Sequence, residues 1–212
     1  MPVVELPPKP GQREDYFLTR QQIVERVRAA RRRPELRHIV RMLLIGLYTG
    51  TRPGTILKLK WQLSMDGGHF DLDAGILHRK PPQSAETNKR APKCKIHRKL
   101  RVLLRLWKKA DRAKGILHVI HYQGKPVKKL RRSWATIART AGHEGKDGAH
   151  ILRHSCATWM MQQDMPIFEA AGYLGMSPTT LEEVYGHHSP NFQDQVAGFR
   201  PAISTNKKRA VG

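Results

Sequence analysis

Cysteine is scarce. Cys94 and Cys156 are the only two in 212 residues, they stand far apart, and neither belongs to a CxxC pair. That pattern excludes a disulfide scaffold and suits a reducing compartment. Long apolar runs are missing too. The longest, Met42 to Tyr48, is far shorter than the roughly 20 residues a bilayer-spanning helix needs. The N-terminus, MPVVELPPKPG, is too rich in proline and polar groups for a signal peptide. Both absences lead us to expect a cytosolic protein, nucleoid-associated in a prokaryotic host. There is no Walker loop or GxGxxG for a nucleotide, and no HExxH or CxxC for a metal. No cofactor is therefore expected. His187 and His188 are adjacent, so on a helix their side chains diverge. Glu182 and Glu183 read as a solvated face rather than half of a two-metal site.

Negative charge is the last shortage: 17 acids face 39 Lys and Arg, a formal charge of +22. Such a surface repels itself and attracts polyanions, nucleic acid first. An anionic membrane surface comes second, but the positive residues are not gathered on one amphipathic helix. The imbalance is uneven. Ser155 to Phe199 holds five acids and no Lys or Arg, a charge of −5, which leaves +27 on the remainder. The basic remainder should face the polyanion, and the acidic segment should pack on the body or meet another protein.

Hydrophobic residues make up 39% of the chain, enough for a real core. Residues 1–18, with Pro2, Pro7, Pro8 and Pro10, read as an extended linker. Thr19 and Gln22 form a capping box that opens a helix to about Arg33. Pro34 breaks it. A second helix is expected over Glu35 to Thr49, with Ile39, Leu43 and Leu47 on one face. Gly50 ends it, and Pro53 starts a short helix to about Leu59. Residues 66–97 alternate and turn at Asp73-Ala74-Gly75, which reads as a hairpin plus a third strand near Ala91 to Ile96. Basic helices follow over Arg98 to Arg112 and Val127 to Thr140, then helices over His150 to Gln163, Pro166 to Leu174 and Thr179 to Tyr185. A last short helix over 190–199 precedes a tail, 200–212. The expected fold is mainly α with a small antiparallel β-sheet, an α+β domain over 19–199.

Three features could carry chemistry. In HILRH, His150 to His154, positions three apart share a helix face, so His150 and Arg153 could reach one ligand. A guanidinium fork suits phosphate oxygens, and an imidazole moves protons near neutral pH. The bland alternative is the solvated face of a basic helix. In YTGTRPG, Arg52 sits on a tight turn between a helix-ending Gly and a helix-starting Pro. A plain surface arginine fits the same pattern. Tyr185, late in a short helix, reads first as a packing residue. As a nucleophile it needs help, because its ordinary pKa is about 10, and two nearby arginines could supply that help by positive potential.

An Arg on a TGxR turn, a helical HxLRH and a tyrosine about thirty residues later, in that order, resemble the tyrosine recombinase (phage integrase) family. YTGTRPGTILKLKW is similar to its first arginine box, and HILRHSCATWMMQQDMPIFEAAGYLGMSPTTLEEVYGHHSP to its second box running on to the nucleophile. The likeness covers roughly residues 17–192. It implies that family's catalytic-domain fold. It also implies that Arg52 and Arg153 grip the scissile phosphate and His150 acts as general acid/base. Tyr185 would attack phosphorus to give a 3′-phosphotyrosyl link, and a hairpin lysine would protonate the leaving 5′-oxygen. Neither ATP nor metal is needed. Lys89 is the first choice for that lysine, with Lys80 and Lys93 in reserve.

Three departures stand out. Asn88 occupies the position that aligns with the family's lysine, Thr55 replaces a Glu that would hold Arg52, and Met176 follows Gly175 where the family has His or Trp. Either Met176 packs beside Tyr185 or His187 reaches the phosphate. These departures motivate an alternative: an integrase-like remnant that holds DNA without cutting it. The family also implies double-stranded DNA as partner, a tetramer on DNA and a monomer off it. A C-terminal helix is passed to a neighbouring subunit in that family, for which Phe192, Val196 and Phe199 offer an apolar stripe. An N-terminal DNA-clamping domain would precede the linker at which this chain starts.

Overall fold

A computed structural model describes residues 16–84, 90–143 and 147–197. Lys89, Phe199, most of the expected linker and all of the expected tail lie outside those residues, as does the side chain of Val196. Helix α1, Arg20–Arg31, opens on the expected capping box. The Gln22 amide donates to the Thr19 hydroxyl (3.2 Å), and the Thr19 amide donates to the Gln22 side chain (2.9 Å). Pro34 starts a 3-10 turn, Pro34–Leu36, so α2 begins at Arg37 and runs to Thr49. Ile39, Leu43 and Leu47 are buried as expected, but so are His38, Val40, Met42 and Ile45. The helix is central rather than amphipathic, packed between α1 and a later helix, α6 (Ile151–Met161).

Helix α3, Pro53–Leu57, follows the Gly50 turn. Strands β1 (His69–Asp71) and β2 (Ile76–His78) pair antiparallel, with Phe70 opposite Leu77. The Asp71 carboxylate accepts from the amides of Asp73 and Ala74 and so closes the turn. β3 is only Cys94–Lys95, shorter than the expected Ala91 to Ile96, because Pro92 has no N–H to give the ladder. Helix α4, Arg98–Arg112, matches its expected span, with Leu100 and Leu104 fully buried. A second hairpin, β4 (His121–Tyr122) with β5 (Lys125–Pro126), turns through Gln123 and Gly124, both at positive φ. The Val127 amide still bonds to the Ile120 carbonyl (3.2 Å), so the next helix, α5, starts at Arg131 rather than Val127 and ends at Thr140.

Helices α7 (Ile167–Leu174), α8 (Pro178–Tyr185) and a short α9 (Asp194–Ala197) complete the order. Ser177 caps α8 by accepting from the Thr180 amide, with Pro178 at the first helical position. Among the described residues no helix is long and apolar enough to cross a membrane.

Two apolar clusters result. The large one runs from Leu18 to Leu152 in sequence. The small one joins Cys156, Ala157, Met161, Ala170, Ala171, Leu174, Leu181 and Tyr185. Helix α6 belongs to both. Buried charge in the large cluster is paired. Asp111 accepts from both Nη atoms of Arg41 (2.5 and 2.9 Å) and from the Trp61 indole (2.8 Å), with His121 3.1 Å away. Arg26, wholly buried, meets Asp147 at 2.8 Å and donates to His143 (3.3 Å), which ties α1 to the segment before α6.

Candidate active site

Two left-handed glycines build the site. Gly50 ends α2 at φ 60° and Gly175 ends α7 at φ 69°, a backbone region costly for any residue with a Cβ. Space forbids side chains as well. A Cβ on Gly50 would lie 2.2 Å from a Leu174 methyl, and one on Gly175 would lie 2.5 Å from the Pro92 ring. The close approach turns three carbonyls toward Arg153 of α6. Its Nη1 donates to Gly50 (2.9 Å) and Leu174 (2.5 Å), and its Nη2 points to Gly175 (3.4 Å). The guanidinium is thus fixed in place, only 8% exposed. Burial, then the nearby charges of Arg52 and Arg79, lower its pKa to about 10, so it remains charged at neutral pH.

Arg52 is half-buried on the turn between α2 and α3, and its Nη1 donates to the Arg90 carbonyl (2.8 Å). Arg52 is thus held by a backbone carbonyl, with Thr55 standing where the resemblance led to the expectation of a Glu. Arg79, beside β2, was not anticipated. It donates to the Thr51 hydroxyl and to the carbonyls of Thr49, Pro92 and Tyr173, all within 2.9 Å. It therefore ties the Arg52 turn to the third strand's approach and to α7. Its signal was present: Arg79 is two residues from buried Leu77 along the strand direction and so shares its inward face.

Tyr185, at the end of α8, is 7% exposed, and its hydroxyl meets His154 Nδ1 at 2.7 Å. Burial raises its pKa, and the charge of Arg153 opposes that rise without cancelling it. Positive potential alone, the help expected from sequence, leaves the phenol protonated. His154 is exposed overall; partial desolvation, then the charges of His150 and Arg153, hold its pKa below the ordinary histidine value. In the sequence it is only the last residue of HILRH. The helix spacing that grouped His150 with Arg153 took no account of α8, whose packing on α6 is what selects His154.

His150 is exposed at the N-cap of α6, while Arg153 points inward. Met176 packs against the small cluster that contains Tyr185, the first of its two anticipated roles. His187 is exposed in a 3-10 turn, Gly186–His188, with its ring 4.1 Å from that of His188. Lys80 is half-buried next to Arg79, and Lys93 is exposed. The arrangement therefore gathers Arg52, Arg79, Arg153, His154 and Tyr185 around one seam. It is a cationic niche with a protonated phenol and a neutral imidazole beside it. Such a niche can bind a phosphodiester and offer it an oxygen nucleophile. Among the described residues no group of three His, Cys, Asp or Glu is placed to hold a metal ion.

A family model described as "Phage integrase family" matches residues 16–191. Among solved structures, XerA recombinase superposes with a TM-score of 0.64 at 20% identity, covering 90% of this chain and 65% of that one. The catalytic domain of bacteriophage HP1 integrase gives 0.56 at 19%, covering 90% and 98%. The Tn1549 transposon integrase, in complex with circular intermediate DNA, gives 0.65 at 13%, covering 86% and 66%. This chain thus spans about two thirds of the first and third and nearly all of the second. No curated protein sequence matches significantly. The mostly helical fold with small antiparallel sheets is the tyrosine recombinase catalytic-domain fold.

Proposed function

The chain belongs to the phage integrase family, and from that premise we propose that it is a site-specific DNA recombinase which cuts and rejoins strands through Tyr185. The observation that carries this reading is the clustering of the Arg52, Arg79 and Arg153 charges beside the Tyr185–His154 pair. A scissile phosphate entering the niche is held by Arg52 and Arg153, whose positive charge matters most when the pentacoordinate transition state develops. The Tyr185 hydroxyl attacks phosphorus and the 5′-oxygen leaves. His150 serves acid/base exchange near the site, and a lysine of the hairpin region (Lys89, Lys80 or Lys93) protonates the leaving oxygen. The product is a 3′-phosphotyrosyl link and a free 5′-hydroxyl. The ester keeps the bond energy, so the partner strand can reverse the step without ATP. Double-stranded DNA is the partner, in keeping with the +22 charge and with neighbours solved on DNA, among them lambda integrase. The catalytic domain runs from 19 to 199, and assembly into a tetramer occurs on DNA.

The test is a nicked duplex of the chain's own attachment sequence, incubated and then denatured in SDS. The recombinase reading expects a protein–DNA adduct that the Tyr185→Phe variant fails to form. The burial of Tyr185 favours the competing reading, a module that grips DNA without cutting it. Tight binding of the cognate duplex without any adduct would establish that reading instead.

A further inference from the structure

His150 stands exposed at the N-cap of α6, so which group accepts the nucleophile's proton is a separate question. Three observations bear on it. The Tyr185 hydroxyl has a partner at 2.7 Å, His154 Nδ1, offered by a different helix. The imidazole and phenol rings lie 5.9 Å apart, centroid to centroid, and tilted, so the contact is made edge to edge through the two polar atoms rather than by stacking. Met176, at the position where a histidine was expected, packs as an apolar residue and has no atom able to take a proton.

We propose that His154 is the general base for Tyr185: a catalytic residue in direct contact with the reacting oxygen. The proposal rests on the recombinase reading above and deepens it. Tyr185 Oη gives its proton to His154 Nδ1 as the Oη–P bond forms. The P–O5′ bond breaks, and the 5′-oxygen takes a proton from the lysine acid. On religation the 5′-hydroxyl gives its proton back to the lysine as it attacks phosphorus, the Oη–P bond breaks, and the histidinium returns its proton to Oη. Charge and protons balance, and nothing is oxidised or reduced.

The protonation states suit this direction. A buried phenol that holds its proton donates, and a neutral ring accepts at Nδ1 as its Nε2–H tautomer. The titratable groups that face the pair are His150, at the N-cap of α6, and Arg153 around His154, and Arg153 and Cys156 around Tyr185. The Cys156 thiol is pushed up to about 12 by burial, so it stays neutral and does not compete. Because His154 is exposed overall, its proton can also exchange with water between turnovers.

The plain alternative is that His154 only satisfies a buried hydroxyl. His154→Asn separates the two, because an Asn amide can accept at the Nδ1 position but cannot take up a proton. Single-turnover cleavage of the nicked duplex is measured with a 5′-oxygen and with a 5′-bridging sulfur leaving group, across pH. Losing a general base should cost about 10²- to 10⁴-fold. The loss is expected with both substrates, with DNA binding unchanged and with a rate that rises toward alkaline pH as tyrosinate appears. Cleavage by His154→Asn within about threefold of wild type would overturn the proposal. So would a defect erased by the sulfur leaving group, which needs no proton and would mark His154 as the acid. A measurement without DNA adds a second arm. Nitrogen-15 NMR of His154 should show the Nε2–H tautomer and a change at Nδ1 on Tyr185→Phe. An Nδ1–H tautomer contradicts the proposal. If wild type binds the duplex and forms no adduct, the recombinase reading itself fails, an outcome distinct from a defect confined to His154→Asn.

Discussion

The two apolar clusters do different work. The large one gathers α1 to α5 and both hairpins, and it closes its buried charges internally, as Asp111 with Arg41 or Arg26 with Asp147. The small one, built from α6, α7 and α8, has eight buried members and includes Tyr185. It lies in the segment without Lys or Arg, so no positive potential around Tyr185 comes from that segment. Arg153 comes from just before it, and Arg52 and Arg79 from the other side of the seam. Separating the cations from Tyr185 by sequence lets the fold adjust the two by packing.

The comparison can be broken most severely at the seam. Arg153→Ala removes the guanidinium proposed to hold the phosphate and leaves the Gly50 and Leu174 carbonyls without their donor. A loss of about a thousandfold or more in adduct formation is expected, on the scale of arginines that stabilise phosphoryl transfer. A near-wild-type rate would remove Arg153 from the chemistry. Asp111→Ala probes the other cluster. It strips a buried carboxylate from Arg41 and Trp61 and should cost about 3–5 kcal/mol in denaturant unfolding. The adduct should still form well below the lowered melting temperature; parallel loss of both would show that the clusters are not separable. Gly50→Ala adds a Cβ at φ 60° against Leu174, a strain of about 1–3 kcal/mol, and should slow cleavage more than it lowers stability.

The smallest effect is in acid. Burial works to raise the Asp111 pKa, but hydrogen bonds from His121, Arg41 and Trp61 outweigh it and hold the folded value below the ordinary one. That stabilisation is complete above the unfolded pKa of about 3.9. It disappears as pH falls through the depressed folded value. Asp111→Asn should therefore show a shallower fall of stability below about pH 4, read from urea midpoints; an unchanged slope would assign acid sensitivity elsewhere.

Local chemistry made much of this legible in the sequence. Thr19 with Gln22, Gly50 before Pro53, Ser177 before Pro178 and the apolar face of α4 are signals that act within one turn, and each appears where its residues place it. Arg52, Arg153 and Tyr185 stand out in the sequence because each is carried by a motif, and the structure brings them to one seam. What escaped depends on which elements meet. Nothing within HILRH tells which of its side chains faces α8, so His154 went unassigned. Arg79 looked like one more arginine among many until Thr49, Pro92 and Tyr173 supplied carbonyls from three separate segments. The start of α5 moved because Val127 was claimed by a hairpin bond to Ile120, a non-local competitor that helix propensity does not register.

The central claim is that Tyr185 is the residue that becomes joined to DNA. Trapping the wild-type protein on the nicked duplex, digesting the adduct and sequencing the DNA-linked peptide by mass spectrometry tests it directly. The account predicts a 3′-phosphate ester on Tyr185, and none when Tyr185→Phe is substituted. A DNA link on Tyr173, Tyr48 or any other side chain would contradict it.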